Sequence, residues 1–267
     1  MKKYVHGYTE RENQRLGDQA FILEELLHAG TAYPSGSRVL EAGCGVGAQT
    51  LPLARNSPGA EITSIDISGE SLSRAKEAVA QAQIGNVSFR QANIMALPFT
   101  DESFEHIFIC FVLEHLEDPP AALVELKRVL RKGGNLTVIE GDHGSCFWHP
   151  STESSRKVWQ ALSRVQRQLG HNPFIGRELP PLLTQAGFKV KDVSPRWLYG
   201  AALNGPALQE GLDKIFVPMV ETAREQALEQ GLVGKVEWER GIKELRASGE
   251  PPDGTFFYTR FKGIALK

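Results

Sequence analysis

The stretch "VLEAGCGVGAQT", Val39 to Thr50, decides how the chain is read. A short apolar run ends in a carboxylate, Glu41, and glycines follow at Gly43, Gly45 and Gly47. The apolar run suits a buried strand. The glycines let the backbone turn sharply and come close to a ligand. A glycine loop between a strand and a helix is how a parallel sheet holds a nucleoside at its carboxyl edge. Read as Gly43-x-Gly45-x-x-Ala48, the stretch also fits the dinucleotide fingerprint, which tolerates alanine at the third position. On spacing alone, a nicotinamide site, a site for another nucleoside and a plain tight turn all stay open.

Two acidic residues narrow the choice. "EITSID", 61–66, reads as a second strand ending in Asp66. A carboxylate there can accept both ribose hydroxyls of an adenosine. The alternative is an N-cap for a helix over 69–84, a task for which Ser68 is also available. Glu41 would repel a dinucleotide pyrophosphate but attract a ligand carrying an ammonium or sulfonium charge. It tilts the reading away from NAD.

The alternation of strand and helix extends in both directions. Residues 14–29 read as a helix with Leu16, Ala20, Leu23 and Leu27 on one face, and 47–55 as the helix opening after the loop. "VSFRQA" (87–92), "FEHIFICFVL" (104–113) and "NLTVIEG" (135–141) read as further strands. "DPPAALVELKRVLRKGG" is a helix with prolines at its start and glycines past its end. Such alternation implies parallel βαβ units. Beyond residue 150 the spacing predicts a helix over 154–169, a short helix in "GRELPPLLTQAGF" and a sixth strand in "KVKDVSP". Residues 198–250 look like a helical insertion, and "TFFYTRFKGIALK" is expected to pair as a closing hairpin. The expected organisation is an N-terminal helical lid (1–36), a core (37–195), a helical insertion capping the substrate (196–254) and a final core strand (255–267).

Composition sets limits. The 267 residues suit one large domain with an insertion, and a net charge of −2 gives no basic field for nucleic acid. Three cysteines without CxxC spacing argue against a disulfide framework and against a zinc site, so no metal is expected and a reducing cytoplasm fits. The polar N-terminus lacks the apolar core of a signal peptide, and no apolar run is long enough to span a membrane.

Four blocks, in order, resemble the class I S-adenosylmethionine-dependent methyltransferases, closest to the small-molecule branch of ubiquinone/menaquinone C-methyltransferase-like proteins. They are "VLEAGCGVG", "SIDIS", "ANIMALPFTDESFEHIF" and "VLEHLEDPPAALVELKRVLRKGG". The resemblance implies an α/β, Rossmann-like, doubly wound fold. Its sheet would be seven-stranded and mostly parallel, the last strand antiparallel, with helices on both faces. It implies S-adenosylmethionine as cofactor, S-adenosylhomocysteine as product and a small-molecule acceptor. Glu41 and the loop Gly43, Cys44, Gly45 and Gly47 would hold the methionine part, Asp66 the ribose, and Ile67 the adenine face. Asn93 replaces the family's usual aspartate, and its side-chain carbonyl can still accept from the adenine amino group. Ile94 would offer its backbone N–H to the ring. Phe111 would border the cofactor at the end of the fourth strand, and Glu105 would be structural. Tyr8, Arg15 and Gln19, in a lid-like segment, would close over the cofactor, Arg15 pairing its carboxylate.

Methyl transfer needs alignment and exclusion of water more than a fixed triad, and a base only where the acceptor loses a proton. His143, after the fifth strand, and His115, after the fourth, are the candidate bases. The rival readings are a protein that binds the cofactor to regulate or scaffold a partner without turnover, and an NAD-type oxidoreductase.

Overall fold

The computed structural model describes Arg15, residues 23–250 and residues 252–267. The strands are β1 (Arg38–Ala42), β2 (Glu61–Asp66), β3 (Val87–Gln91), β4 (Phe104–Cys110), β5 (Leu130–His149), β6 (Lys189–Ala201) and β7 (Thr255–Leu266). They form one seven-stranded sheet in the order β3-β2-β1-β4-β5-β7-β6. β3, β2, β1, β4 and β5 pair in parallel throughout. At the far end of β7, Lys267 exchanges backbone hydrogen bonds with Gly133 and Gly134 at the start of β5, so β7 runs antiparallel to it. The expected closing hairpin does not form. β7 enters between β5 and β6 after a long helical excursion, and no tight turn joins it to β6.

The chain divides into two units. The first comprises Leu23–Gly141, Ile175–Arg196 and Arg260–Lys267. Its helices are α1 (Thr50–Asn56), α2 (Gly69–Gln81), α3 (Pro119–Val129) and α5 (Leu179–Gln185), with α4 lying in the second unit. α1 starts three residues later than its pattern suggests, because Gly47 still belongs to the turn that its N–H closes onto the Cys44 carbonyl. α3 starts at two prolines, where missing N–H groups cost nothing, and Asp118 accepts from the Ala121 amide as its N-cap. One face of the sheet packs Leu40, Ile65, Ile107 and Val138 against Leu123 and Leu126 of α3 and Leu179 and Leu183 of α5. Arg128 of α3 binds the carbonyls of Leu97 and Phe99 and the Asp101 carboxylate, fixing the loop after β3.

The expected strand over 104–113 is shorter, because Phe111 takes a left-handed backbone, φ 57°, and Leu113–His115 turn as a 3₁₀ helix. β5 is longer than 135–141 at both ends. Glu105 accepts from Arg38 and Arg131, and these guanidinium hydrogen bonds, Arg38 foremost, hold its carboxyl down to about 2.

The second unit contains Asp142–Phe174 and Trp197–Thr259, together with Arg15. Its helices are α4 (Glu153–Gln168), α6 (Ala207–Gly211), α7 (Val217–Glu221), α8 (Arg224–Glu229) and α9 (Lys235–Ala247). α4 opens on a capping box between Thr152 and Ser155. Gly241 lets α9 approach α4, since a Cβ there would stand 2.4 Å from the Ser154 carbonyl oxygen. Trp148, Trp159, Phe216, Phe256 and Tyr258 form an aromatic cluster. No helix among the described residues is long and apolar enough to cross a membrane.

Buried Lys262 of β7 donates to the Leu27 and Ala29 carbonyls and to the Thr31 hydroxyl, where the helix over 23–28 ends. A cation suits that end of a helix. Burial, reinforced by Arg196, lowers its ammonium to about 8, so it is still mostly charged at neutral pH. Lys262→Met should lower stability by about 1–3 kcal/mol, because these acceptors lose their donor. A urea unfolding midpoint unchanged from the parent would contradict this role.

Candidate active site

The carboxyl ends of β1 and β2 carry the loop and its acidic partners. Gly43 and Cys44 both donate their N–H groups to the Ile65 carbonyl of β2, which turns the chain sharply away from β1. Gly43, Gly45 and Gly47 all have positive φ, the left-handed region that disfavours side chains. Their surroundings differ. A Cβ on Gly43 would stand 2.4 Å from Cγ2 of Val112, and one on Gly47 would stand 3.0 Å from the Ala75 backbone of α2. These two glycines serve close packing within the protein. A Cβ on Gly45 would meet nothing within 4 Å, so Gly45 is the open position of the cradle.

Asp66 fixes that position. Its Oδ2 accepts from the Gly45 amide at 2.9 Å and its Oδ1 from the Ser68 amide at 2.8 Å. The capping task falls to Ser68, whose hydroxyl accepts from the Ser71 amide. Asp66 is therefore a brace between the glycine loop and the start of α2, with further lone pairs on both oxygens. Ile67, next to it, is an exposed apolar side chain suited to a flat ring.

Glu41 is buried, and its Oε2 accepts from the hydroxyls of Thr50 at 2.7 Å and Ser64 at 2.6 Å. It ties β1 to β2 and to the first residue of α1. Burial pushes its carboxyl up to about 7 against the pull of the two hydroxyls, and the Asp66 charge adds to the rise. The Cys44 side chain is buried, and burial raises its thiol far above the usual range.

Beyond β3, Asn93 is exposed and its Oδ1 accepts from the Met95 amide at 2.9 Å, while the Ile94 side chain enters the core. After β4, the Phe111 N–H donates to the Ile139 carbonyl, and the Arg260 guanidinium lies 6.0 Å from the Phe111 ring centre. His115 Nε2 stands 3.6 Å from the Glu114 carboxylate. In the second unit, His143 is buried, its Nδ1 lies 2.7 Å from the Tyr258 hydroxyl, and its carbonyl accepts from the Trp159 indole. Arg15 is helical and buried, and Tyr8 and Gln19 lie outside the described residues. No group of three or more metal-ligating side chains occurs among the described residues.

Sequence reasoning passed over Glu140. It closes an apolar run within β5 as Glu41 does in β1, and that shared pattern was the available signal. Fully buried, it accepts through Oε1 from the Val112 and Leu113 amides at 3.0 and 2.8 Å.

The sequence and the fold both match known proteins. The methyltransferase domain model of one family matches residues 40–138. The chain is 29% identical over 239 residues to an uncharacterised methyltransferase of Schizosaccharomyces pombe, a match spanning 84% of each. It is 33% identical over 197 residues to the O-methyltransferase resE of Aspergillus sclerotiorum, spanning 71% of this chain and 70% of that one. The crystal structure of the YcgJ protein from Bacillus subtilis shares the fold, with a TM-score of 0.58 at 16% identity over 92% of this chain and 98% of that one. The chain belongs to the class I S-adenosylmethionine-dependent methyltransferases. It is an enzyme of that class, with S-adenosylmethionine as methyl donor, which sets aside the nicotinamide reading of the glycine spacing.

The residues present fit that donor: an open glycine cradle, a carboxylate beside it and a second, buried carboxylate behind. Asp66→Ala removes the acceptor of two loop amides. Calorimetry should then find S-adenosylhomocysteine bound about tenfold or more weakly, of the order expected for a lost charge-assisted contact. Affinity equal to the parent's would remove Asp66 from the site.

Proposed function

We propose that the enzyme methylates a hydroxyl oxygen of a small-molecule acceptor. The observation that carries the site assignment is the Gly45–Asp66 brace, which presents an open backbone cradle at the carboxyl edge of the sheet. The oxygen acceptor is supported by resE, an O-methyltransferase with which this chain aligns over 70% of that protein's length. The net charge of −2 supports a small molecule over nucleic acid.

On this reading Gly43–Gly47 and Glu41 receive the methionine part of the cofactor, Asp66 the ribose hydroxyls, and Ile67, Asn93 and Ile94 the adenine, with Phe111 at the methyl end. The bound donor supplies an electrophilic methyl group on a sulfonium, displaced in line. The protein's tasks are then to orient the acceptor, exclude water and take one proton from its hydroxyl. His143 is assigned that proton. Tyr258 holds its ring, and when the phenol oxygen accepts the Nδ1 hydrogen the basic lone pair resides on Nε2. His115, beside Glu114, is the second candidate.

The test uses methyl-labelled S-adenosylmethionine with a panel of phenols and aliphatic alcohols. Label recovered in a methyl ether, with turnover falling about 100-fold or more in His143→Ala while cofactor affinity holds, is the expected result. Label recovered only on carbon, or turnover unchanged in His143→Ala, would contradict the assignment.

Glu41 predicts a pH dependence. Its folded carboxyl, near 7, lies above its ordinary value of 4.5. The folded state therefore holds a proton that the unfolded state releases, and this contribution to stability declines as pH rises from about 4.5 to about 7. A cationic ligand favours the ionised form. Binding of S-adenosylmethionine should strengthen between about pH 6 and pH 8, and Glu41→Gln should flatten that rise. An equal rise in the variant would show that another group controls it.

A further inference from the structure

We propose that Glu140 is a positioning residue for the methyl-transfer site. It clamps the turn that follows β4 and thereby sets that turn against the glycine loop. The inference rests on the assignment of the loop to the cofactor.

Ile139 pairs with Cys110 at the end of the β4–β5 ladder, and its carbonyl accepts from Phe111. Glu140 comes next on β5, fully buried, at the point where β4 turns away. Its Oε1 accepts from the consecutive amides of Val112 and Leu113. Amides at the start of a helical turn have no partner within it, and a carboxyl oxygen meets that need. Phe111, just before them, is held at φ 57°, which a phenylalanine adopts only where neighbouring bonds fix it.

The clamp reaches the loop through Val112. Its side chain occupies the space a Cβ on Gly43 would need, 2.4 Å from that point. The turn is thus one wall of the glycine loop. A shift of its amides off Glu140 moves that wall.

The bonds from the Val112 and Leu113 amides use only one of the two carboxyl oxygens. Oε2 of Glu140 is buried with no hydrogen-bond partner among the described residues. Burial and the nearby Glu114 charge both push its carboxyl upward. Such groups cost stability and are concentrated at functional sites.

Two substitutions separate clamping from mere filling. Glu140→Gln keeps a carbonyl that accepts from the turn. Its affinity for S-adenosylhomocysteine should stay within threefold of the parent by calorimetry. Glu140→Leu removes the acceptor at similar volume. Its affinity should fall at least tenfold, with faster amide exchange confined to residues 111–115. Where the leucine variant does not fold, Val112→Ala decides. It leaves the clamp intact but removes the wall, and affinity should fall three- to tenfold. Parent-like affinity in Glu140→Leu overturns the proposal, as does parent-like affinity in Val112→Ala, or an equal loss in the glutamine and leucine variants. If Asp66→Ala also binds like the parent, the loop assignment has failed. If Asp66→Ala binds weakly and Glu140→Leu does not, only the positioning role has failed.

Discussion

One carboxylate organises the carboxyl edge of the sheet. Asp66 accepts from the Gly45 amide with one oxygen and from the Ser68 amide with the other. The two amides belong to different loops, one after β1 and one after β2. A single side chain at the end of β2 therefore fixes the glycine turn and the approach to α2 together. The other two glycines complete the arrangement from within. Gly43 yields space to Val112 and Gly47 to Ala75, so the loop is packed on two sides and open at Gly45. A charge-assisted acceptor suits this role better than a hydroxyl, because it meets two donors at once.

The same edge gathers further acidic groups. Glu41 ends its run on β1 and Glu140 its run on β5, both buried and both with carboxyls pushed upward by burial and by a neighbouring carboxylate. Arrays of this kind repel one another and favour a bound proton or a cation. They suit a donor that carries a sulfonium and an ammonium group. They would oppose a pyrophosphate. On the proposed assignment, binding of a cationic donor and release of a proton from Glu41 are two sides of one equilibrium.

Much of this was legible in the sequence because it depends on short-range patterns. The apolar runs of β1, β2 and β4, the prolines opening α3 and the division of labour between Asp66 and Ser68 follow from local chemistry. What depends on partners distant in sequence was not legible. β4 stops early because Phe111 turns left-handed and the next amides turn to Glu140. The three glycines look alike in sequence, yet only contact with Val112 and Ala75 separates two packing positions from one open one. The contact of Tyr258 with His143 spans residues far apart in the chain, so a residue that reads as part of a plain strand turns out to orient a histidine. The position of β7 between β5 and β6 was hidden for the same reason, since the helices before it separate it from its neighbours.

The central claim is that the donor lies in the cradle braced by Asp66. Titration of the labelled protein with S-adenosylhomocysteine, followed by amide NMR, tests it most directly. The account predicts that the largest shifts fall on Gly45, Val46, Ile67 and Ser68, with smaller ones at Asn93 and Met95. Saturable binding that leaves the amides of Gly45 and Ser68 unmoved, with the shifts clustered elsewhere, would contradict it.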